Sequence, residues 1–370
     1  MTEENSRKFT NVAESGQPLL EVRNIHKQFP GVYALKDVSV KFFPGEVHAI
    51  VGENGAGKST LMKILAGAYT PDSGEIYLAG EQVSFSHPKD AQAKGISIIY
   101  QEFNLNPFMS IYENLFLGRE PSRFGVIEIR KMNKMAEEIL REIGMEDHIS
   151  PTALVSSLSV AEQQLVEIAK AISFKAKVLI MDEPTAALTF TEVKLLSDLI
   201  EKLKAMGMAI LFISHRLVEV FDIAEKVTVL KDGQLVNTVF KKDVKPEDLV
   251  FMMVGRTLDH YFPPLGSPED FGDVVLSVKN ASNEFLKNIS FELKKGEVLG
   301  LAGLQGSGRT EMAQALFGVE PFKSGNLVLH GKQIDIKNPA QAIKNRMGFV
   351  TEDRKSEGIL PKQPIRDNML

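Results

Sequence analysis

The chain has 370 residues, 25% of them charged, with a formal net charge of −5 and no cysteine. That length accommodates two domains, the lack of cysteine excludes a disulfide framework or thiolate metal site, and the acidic balance gives no support for nucleic-acid binding. No stretch approaches the ~20 apolar residues of a membrane span, so any membrane role is expected to be peripheral.

Residues 1–18 are polar and lack an apolar core, which reads as a flexible tail and not a signal peptide. Leu20–Ile25 and Val38–Phe43 read as short strands of a small antiparallel sheet, and Pro44-Gly45 marks a turn into the apolar run Val47–Val51. A helical pattern follows at Thr60–Ala66, then strands at Glu75–Ala79 and Ile96–Tyr100, the latter unbroken in its apolar character as buried strands are. From about Ser110 to Ala171 the periodicity turns helical, clearest in Lys131–Ile143 and Glu162–Ile172. Val178–Met181 is a second buried strand, followed by a helix at Thr191–Ala205 and strands at Ala209–Ile213, Lys226–Leu230 and Gln234–Phe240. Strands alternating with helices predict a mainly parallel α/β sheet with an inserted helical block.

Between the strand Val47–Val51 and the helix lie Gly52, Glu53, Asn54, Gly55, Ala56, Gly57, Lys58 and Ser59, followed by Thr60. They match G-x-x-x-x-G-K-[ST] in its strand–loop–helix context. Glycines let successive backbone N–H groups turn inward around an anion, and the helix N-terminus adds its positive dipole end. Lys58 is then expected to reach the β- and γ-phosphates of a nucleotide, and the Ser59 hydroxyl to ligate Mg²⁺. Asp182 and Glu183 end the second buried strand, where a carboxylate faces such a loop. Asp182 is expected to hold Mg²⁺ through water, and Glu183 to polarise the attacking water. Gln101 and His215 also follow strand ends, the edge at which an open α/β sheet places its ligand.

Thr257–Asp273 is rich in proline and reads as an interdomain linker, after which the sequence starts again. Gly45-Glu46-Val47, Gly52, Ser73-Gly74 and Pro88 recur as Gly296-Glu297-Val298, Gly303, Ser324-Gly325 and Pro339, all at an offset of 251. A constant offset means a duplicated domain. The expected division is a tail at 1–18, a first domain at 19–256, a linker at 257–273 and the N-terminal part of a second domain at 274–370. A half-sheet cannot bury its face alone, so the chain is expected to be a piece of a longer protein.

Together these motifs resemble the ATP-binding subunits of ABC transporters, from about Leu19 almost to the end. The resemblance adds LSVAEQQ at Leu158–Gln164 as the signature segment (Ser159, Val160, Ala161, Glu162, Gln163) and Gln101 in IIYQE as the Q-loop, implying a Mg²⁺ contact. It makes His215 in FISHR the switch histidine, Ala186–Thr189 the D-loop, and Phe29 the ring that stacks on adenine. The implied fold is a P-loop NTPase of ABC type with an antiparallel β subdomain and a helical subdomain. The tandem arrangement, with GSGRTE in the second loop and TEDRKSEGIL after it, resembles bacterial monosaccharide importers of the ribose, xylose and galactose kind. Such a resemblance implies ATP and Mg²⁺ as cofactors and peripheral attachment to the cytoplasmic face of the membrane. It also implies transmembrane permease subunits fed by an external sugar-binding protein, with Gln101–Glu120 forming the permease groove. Phe103, Leu105, Phe108 and Met109 either line that groove or belong to the helical core. A nucleoside or signalling-sugar importer shares the same architecture, while a soluble tandem protein acting on ribosomes or DNA fits the acidic linker poorly.

Departures from the family pattern predict two unequal sites. Val160, Ala161 and Glu162 replace the two glycines and glutamine of the signature, adding bulk and negative charge where a phosphate approaches. In the second loop (Gly303, Gly306, Gly308, Arg309, Thr310) arginine stands where lysine is expected, and the two are not interchangeable in a tight cradle. Glu352 occupies the position of Gln101, and the segment matching Phe29 is five residues shorter. Head-to-tail pairing would place Arg309 and the altered signature in one weak composite site. The other site would need a second signature past Leu370, so this chain is expected to bind Mg-ATP at the first loop and turn over slowly.

Overall fold

The computed structural model describes residues 16–100, 103–146, 149–185, 188–214, 216–255, 271–304, 306–351 and 357–369. The chain divides into two compact units, Met1–Tyr261 and Phe262–Leu370. The first unit begins with β1 (Leu20–Phe29), β2 (Val32–Phe42), β3 (Val47–Val51), α1 (Lys58–Leu65), β4 (Ser73–Leu78), β5 (Glu81–Val83), α2 (Pro88–Ala93) and β6 (Ile96–Ile99). A helical block follows, with α3 (Ile111–Phe116), the short hairpin β7 (Ser122–Arg123) and β8 (Val126–Ile127), α4 (Ile129–Glu142) and α5 (Val160–Ser173). The unit closes with β9 (Val178–Asp182), α6 (Phe190–Ala205), β10 (Ala209–Ile213), α7 (Leu217–Ile223), β11 (Lys226–Lys231), β12 (Gln234–Phe240) and α8 (Pro246–Val254).

Two sheets result. One is antiparallel in the order β2-β1-β4-β5, and the other runs β12-β11-β3-β10-β9-β6. In the larger sheet only β12 is antiparallel to its neighbour, so β11, β3, β10, β9 and β6 all point the same way. β1 and β2 run further than their apolar stretches suggest. The ladder continues through Lys27–Leu35, Gln28–Tyr33 and Phe29–Val32 to the turn at Pro30-Gly31, where Gly31 has φ 83°. The polar residues His26, Lys27 and Gln28 follow the apolar stretch, and cross-strand pairing carries them into the strand.

The large sheet is buried on both faces, which is why its strands read as continuous apolar runs. Val47, Ala49 and Val51 of β3, Leu179 and Met181 of β9, and Ile210 and Phe212 of β10 face one core. This core is completed by the helical block through Ile111, Leu115, Met132, Ala136, Leu140 and Leu165. Ile50, Val178, Ile180, Ala209, Leu211 and Ile213 face the other core, shared with α1 and with β1, β2 and β4 of the small sheet. α1 is thus held by Leu61, Met62, Ile64 and Leu65, all fully buried, each contributing roughly 1.5–3 kcal/mol. That burial fixes the helix whose N-terminus opens the glycine-rich loop.

The second unit contains β13 (Val274–Ser282), β14 (Ile289–Lys294), α9 (Arg309–Phe317), β15 (Ser324–Leu329), β16 (Lys332–Ile334), α10 (Pro339–Lys344) and α11 (Ile365–Met369). Its sheet order, β14-β13-β15-β16, repeats β2-β1-β4-β5. β15, β16, α9 and α10 start 251 positions after β4, β5, α1 and α2. Residues 298–302, the counterpart of β3, form no strand, and Val298 is 97% exposed. β3 is hydrogen-bonded between β11 and β10, and the described residues of the second unit supply no such neighbours.

Candidate functional site

The glycine-rich loop is shaped by close approaches rather than by flexibility. A Cβ on Gly52 would collide with the carbonyl oxygen of Leu230, and one on Gly57 would lie 2.5 Å from that of Ala34. Gly57 and Gly55 have φ of 102° and 86°, in the left-handed region that L side chains avoid. The Ala56 N–H donates to Glu53 O at 3.1 Å, and the Gly233 N–H from the β11–β12 turn donates to Ala56 O at 3.2 Å. Lys58 is 8% exposed and folds back over the loop, donating to Gly52 O at 2.8 Å and Glu53 O at 3.0 Å. Burial holds its ammonium below the usual lysine range, against the pull of the Glu183 and Asp182 charges. Ser59 and Glu53, Asn54 and Gly55 are exposed at the loop mouth, with Thr60 half-buried behind them.

Four neighbouring parallel strands end at the same edge. β3 ends at Gly52, β10 at Ser214, β9 at Asp182-Glu183 and β6 at Tyr100, in a row of strands about 4.8 Å apart. Asp182 is half-buried, and burial followed by the Glu183 charge pushes its carboxyl up, while Lys58 and Lys63 oppose the rise. Tyr100 is raised by burial and by the Asp182 charge, which places its phenol within that field. Glu183 has φ 50°, a left-handed conformation for a residue with a side chain, and its N–H donates to Ile213 O at 2.9 Å. Lys58, Asp182 and Glu183 are therefore brought together. Gln101 and His215 lie outside the described residues, as do Ala186 and Ala187 of the D-loop segment and Glu352.

A profile of the ABC transporter family matches residues 35–186 and 286–368. The chain belongs to the ABC transporter family. It is 48% identical to a ribose import ATP-binding protein of Rubrobacter xylanophilus, across 95% of this chain and 71% of that protein. It is 47% identical to a putative ribose/galactose/methyl galactoside import ATP-binding protein of Hahella chejuensis, across 95% of this chain and 68% of that protein. Among solved structures it is similar to an ATP-binding cassette of an ABC transporter in its ADP conformation. The TM-score is 0.57 at 26% identity, covering 65% of this chain and all of the other. A dimeric cassette in a post-hydrolysis state with ADP and Pi matches with a TM-score of 0.51 at 25% identity, covering 60% and 98%. The fold is that of a P-loop NTPase of ABC type, and the chain is an ABC ATPase.

Within this cassette the remaining motif residues fall as follows. Phe29 ends β1, half-buried, with the Tyr69 ring edge-on at 5.4 Å and the Lys27 amine 5.7 Å from its own ring. The signature segment begins α5. Ser159 caps it by accepting the Glu162 N–H at 3.3 Å, and the Glu162 carboxylate accepts the Ser159 N–H at 2.7 Å. The acidic replacement thus completes a capping box, and its charge is engaged by backbone at the helix start. Val160 is 40% exposed and Ala161 is buried, while Gln163 donates to Leu158 O at 3.0 Å. Of the residues assigned to a permease groove, Leu105 packs against the helical core, whereas Phe108 is 85% exposed.

The second glycine-rich loop keeps the turn of the first. Gly306 and Gly308 have φ of 76° and 92°, and the Ser307 N–H donates to Leu304 O at 3.1 Å. Gly303, Arg309 and Thr310 are exposed.

Sequence reasoning missed Glu219, on the first turn of α7. It is 7% exposed and accepts the Thr185 hydroxyl at 2.6 Å, the Ser214 hydroxyl at 2.7 Å and the Arg216 guanidinium at 3.1 Å. A glutamate in a helix's first turn reads as a solvated charge, and its two hydroxyl partners come from segments distant in sequence or bent by tertiary structure.

Proposed function

We propose that this chain is the ATP-hydrolysing subunit of an importer that carries a monosaccharide across a bacterial membrane. The observation that carries the reading is the buried Lys58 under the same sheet edge as Asp182 and Glu183, in a chain 48% identical to a ribose import ATP-binding protein. Residues 19–256 act as a first ABC domain and 274–370 as the N-terminal part of a second. The loop Gly52–Thr60 holds the phosphates of ATP, and Lys58 leaves its two carbonyl acceptors for the terminal phosphates. Phe29 takes the adenine, with Tyr69 steadying its ring. Glu183 orients the attacking water, assisted by Gln101 and His215.

The Ser59 hydroxyl and the Asp182 carboxylate are hard oxygen donors of the kind Mg²⁺ takes alongside phosphate oxygens and water. When bound, that ion supplies neutralisation of charge building between the β- and γ-phosphates. Among the described residues no helix is long and apolar enough to cross a membrane. The subunit sits at the cytoplasmic face on permease subunits, which receive sugar from an external binding protein. Phe108 supplies an apolar contact to them.

Uptake of labelled pentoses and hexoses into vesicles carrying this subunit with its permease tests the reading. Import of a monosaccharide that is driven by internal ATP and lost with Lys58→Ala is expected. Import of nucleosides with no sugar uptake would overturn it.

A further inference from the structure

The geometry points to Glu219 as a positioning residue that ties the β9 exit to the β10 exit and so holds Glu183 in its reactive orientation. The inference rests on the proposed role of Glu183 and goes beyond it to what maintains that role. Glu183 sits at φ 50°. A non-glycine residue in that region costs roughly 1–2 kcal/mol and persists only where its surroundings over-determine it. Two restraints do so here. The Glu183 N–H is fixed to Ile213 O at 2.9 Å, and two residues further on the Thr185 hydroxyl is fixed to Glu219 Oε2 at 2.6 Å.

The same carboxylate oxygen accepts Ser214 Oγ at 2.7 Å, so one buried atom joins the segments that follow two adjacent strands. Ser214 in turn accepts the Arg216 N–H at 3.0 Å, on the other side of His215 in the sequence. Arg216 Nη1 reaches Glu219 Oε1 at 3.1 Å, at the half-exposed side of the pair. A carboxylate accepting two hydroxyls and a guanidinium is a strong clamp, because the guanidinium contact is charge-assisted and such hydrogen bonds are about twice as strong as neutral ones. Glu219 itself is not among the residues proposed to meet ATP, and its side chain is taken up by these three partners. Without it, Thr185 and Ser214 keep buried hydroxyls with no carboxylate to bind, and Glu183 can relax out of the left-handed region. A displacement of about 1 Å at a reacting group is enough to cost on the order of 100-fold in rate.

The test is single-turnover cleavage of bound ATP by the full chain, alongside equilibrium ATP binding and thermal unfolding. Glu219→Ala should lower the cleavage rate at least tenfold while ATP affinity stays within twofold. Glu219→Gln, which retains a carbonyl acceptor for the two hydroxyls, should recover most of that rate. If Glu219→Ala does not yield folded protein, the double variant Thr185→Val, Ser214→Ala removes both donors with Glu219 in place and should show the same split. Glu183→Gln serves as the reference. Loss of cleavage in that variant together with wild-type rates in Glu219→Ala or the double variant would overturn the clamp and leave the site reading standing. Undiminished cleavage in Glu183→Gln would overturn the site reading itself. An equal fall in affinity and rate, unrelieved in Glu219→Gln, would reduce Glu219 to general structural support and overturn the inference.

Discussion

The two glycine-rich loops turn in the same way and end in different surroundings. Gly55 and Gly57 match Gly306 and Gly308 in conformation, and the hydrogen bond closing the turn is 3.1 Å in both. Behind the first loop stands β3, buried between β11 and β10, and a lysine with 8% of its surface exposed. Behind the second, residues 298–302 form no strand, and Arg309 is exposed. A turn is a local object that a few glycines determine. A cradle that can hold a lysine under two carbonyls requires the parallel strands on either side, which come from more than a hundred residues further along the first unit.

The largest expected effect of breaking this comparison is on nucleotide affinity. Lys58→Ala should weaken ATP binding about 100-fold, the scale of a lost charge-assisted contact to phosphate of about 2.7 kcal/mol. Arg309→Ala should leave binding within twofold. Titration with labelled ATP measures both, and equal losses would show that the second loop carries binding after all.

Stability should separate the loops next. A methyl group at Gly52 meets the backbone oxygen of Leu230 and cannot be relieved by a rotamer change, so Gly52→Ala should cost about 3 kcal/mol. At Gly303 the obstacle is the Ser307 side chain, which can rotate away, and Gly303→Ala should cost less than about 1 kcal/mol. Denaturant unfolding of the two variants decides the ordering.

The smallest effect concerns pH. Burial and the Glu183 charge raise the Asp182 carboxyl above its ordinary 3.8 in the folded chain. The folded state therefore binds the proton more tightly than the unfolded state, and stability falls as pH rises from 3.8 through the raised value. Asp182→Asn removes that penalty. Its thermal midpoint should exceed wild type by a few degrees at neutral pH, with the gap closing as pH approaches 3.8. A gap independent of pH would show that Asp182 is ionised without cost, unlike a buried group beside Glu183.

The α/β architecture, the loop Gly52–Thr60 and the acidic pair Asp182-Glu183 were legible because each is carried by contiguous residues: an apolar run, a spacing of glycines, a strand end. The 251-residue repeat was legible for the same reason, and the paired elements β4 and β15, β5 and β16, and α2 and α10 begin at that offset. What contiguity does not carry was missed or misjudged. β1 and β2 extend through polar residues because each has a partner strand. Glu219 was invisible because its meaning lies in Thr185 and Ser214, hydroxyls brought to one carboxylate by adjacent strands. The sequence by itself determined the two phosphate loops and their unequal cations, since backbone torsion and side-chain identity are local properties. Tertiary structure alone decided that Lys58 is buried beside two carboxylates, because strand neighbours and burial are supplied by the rest of the fold.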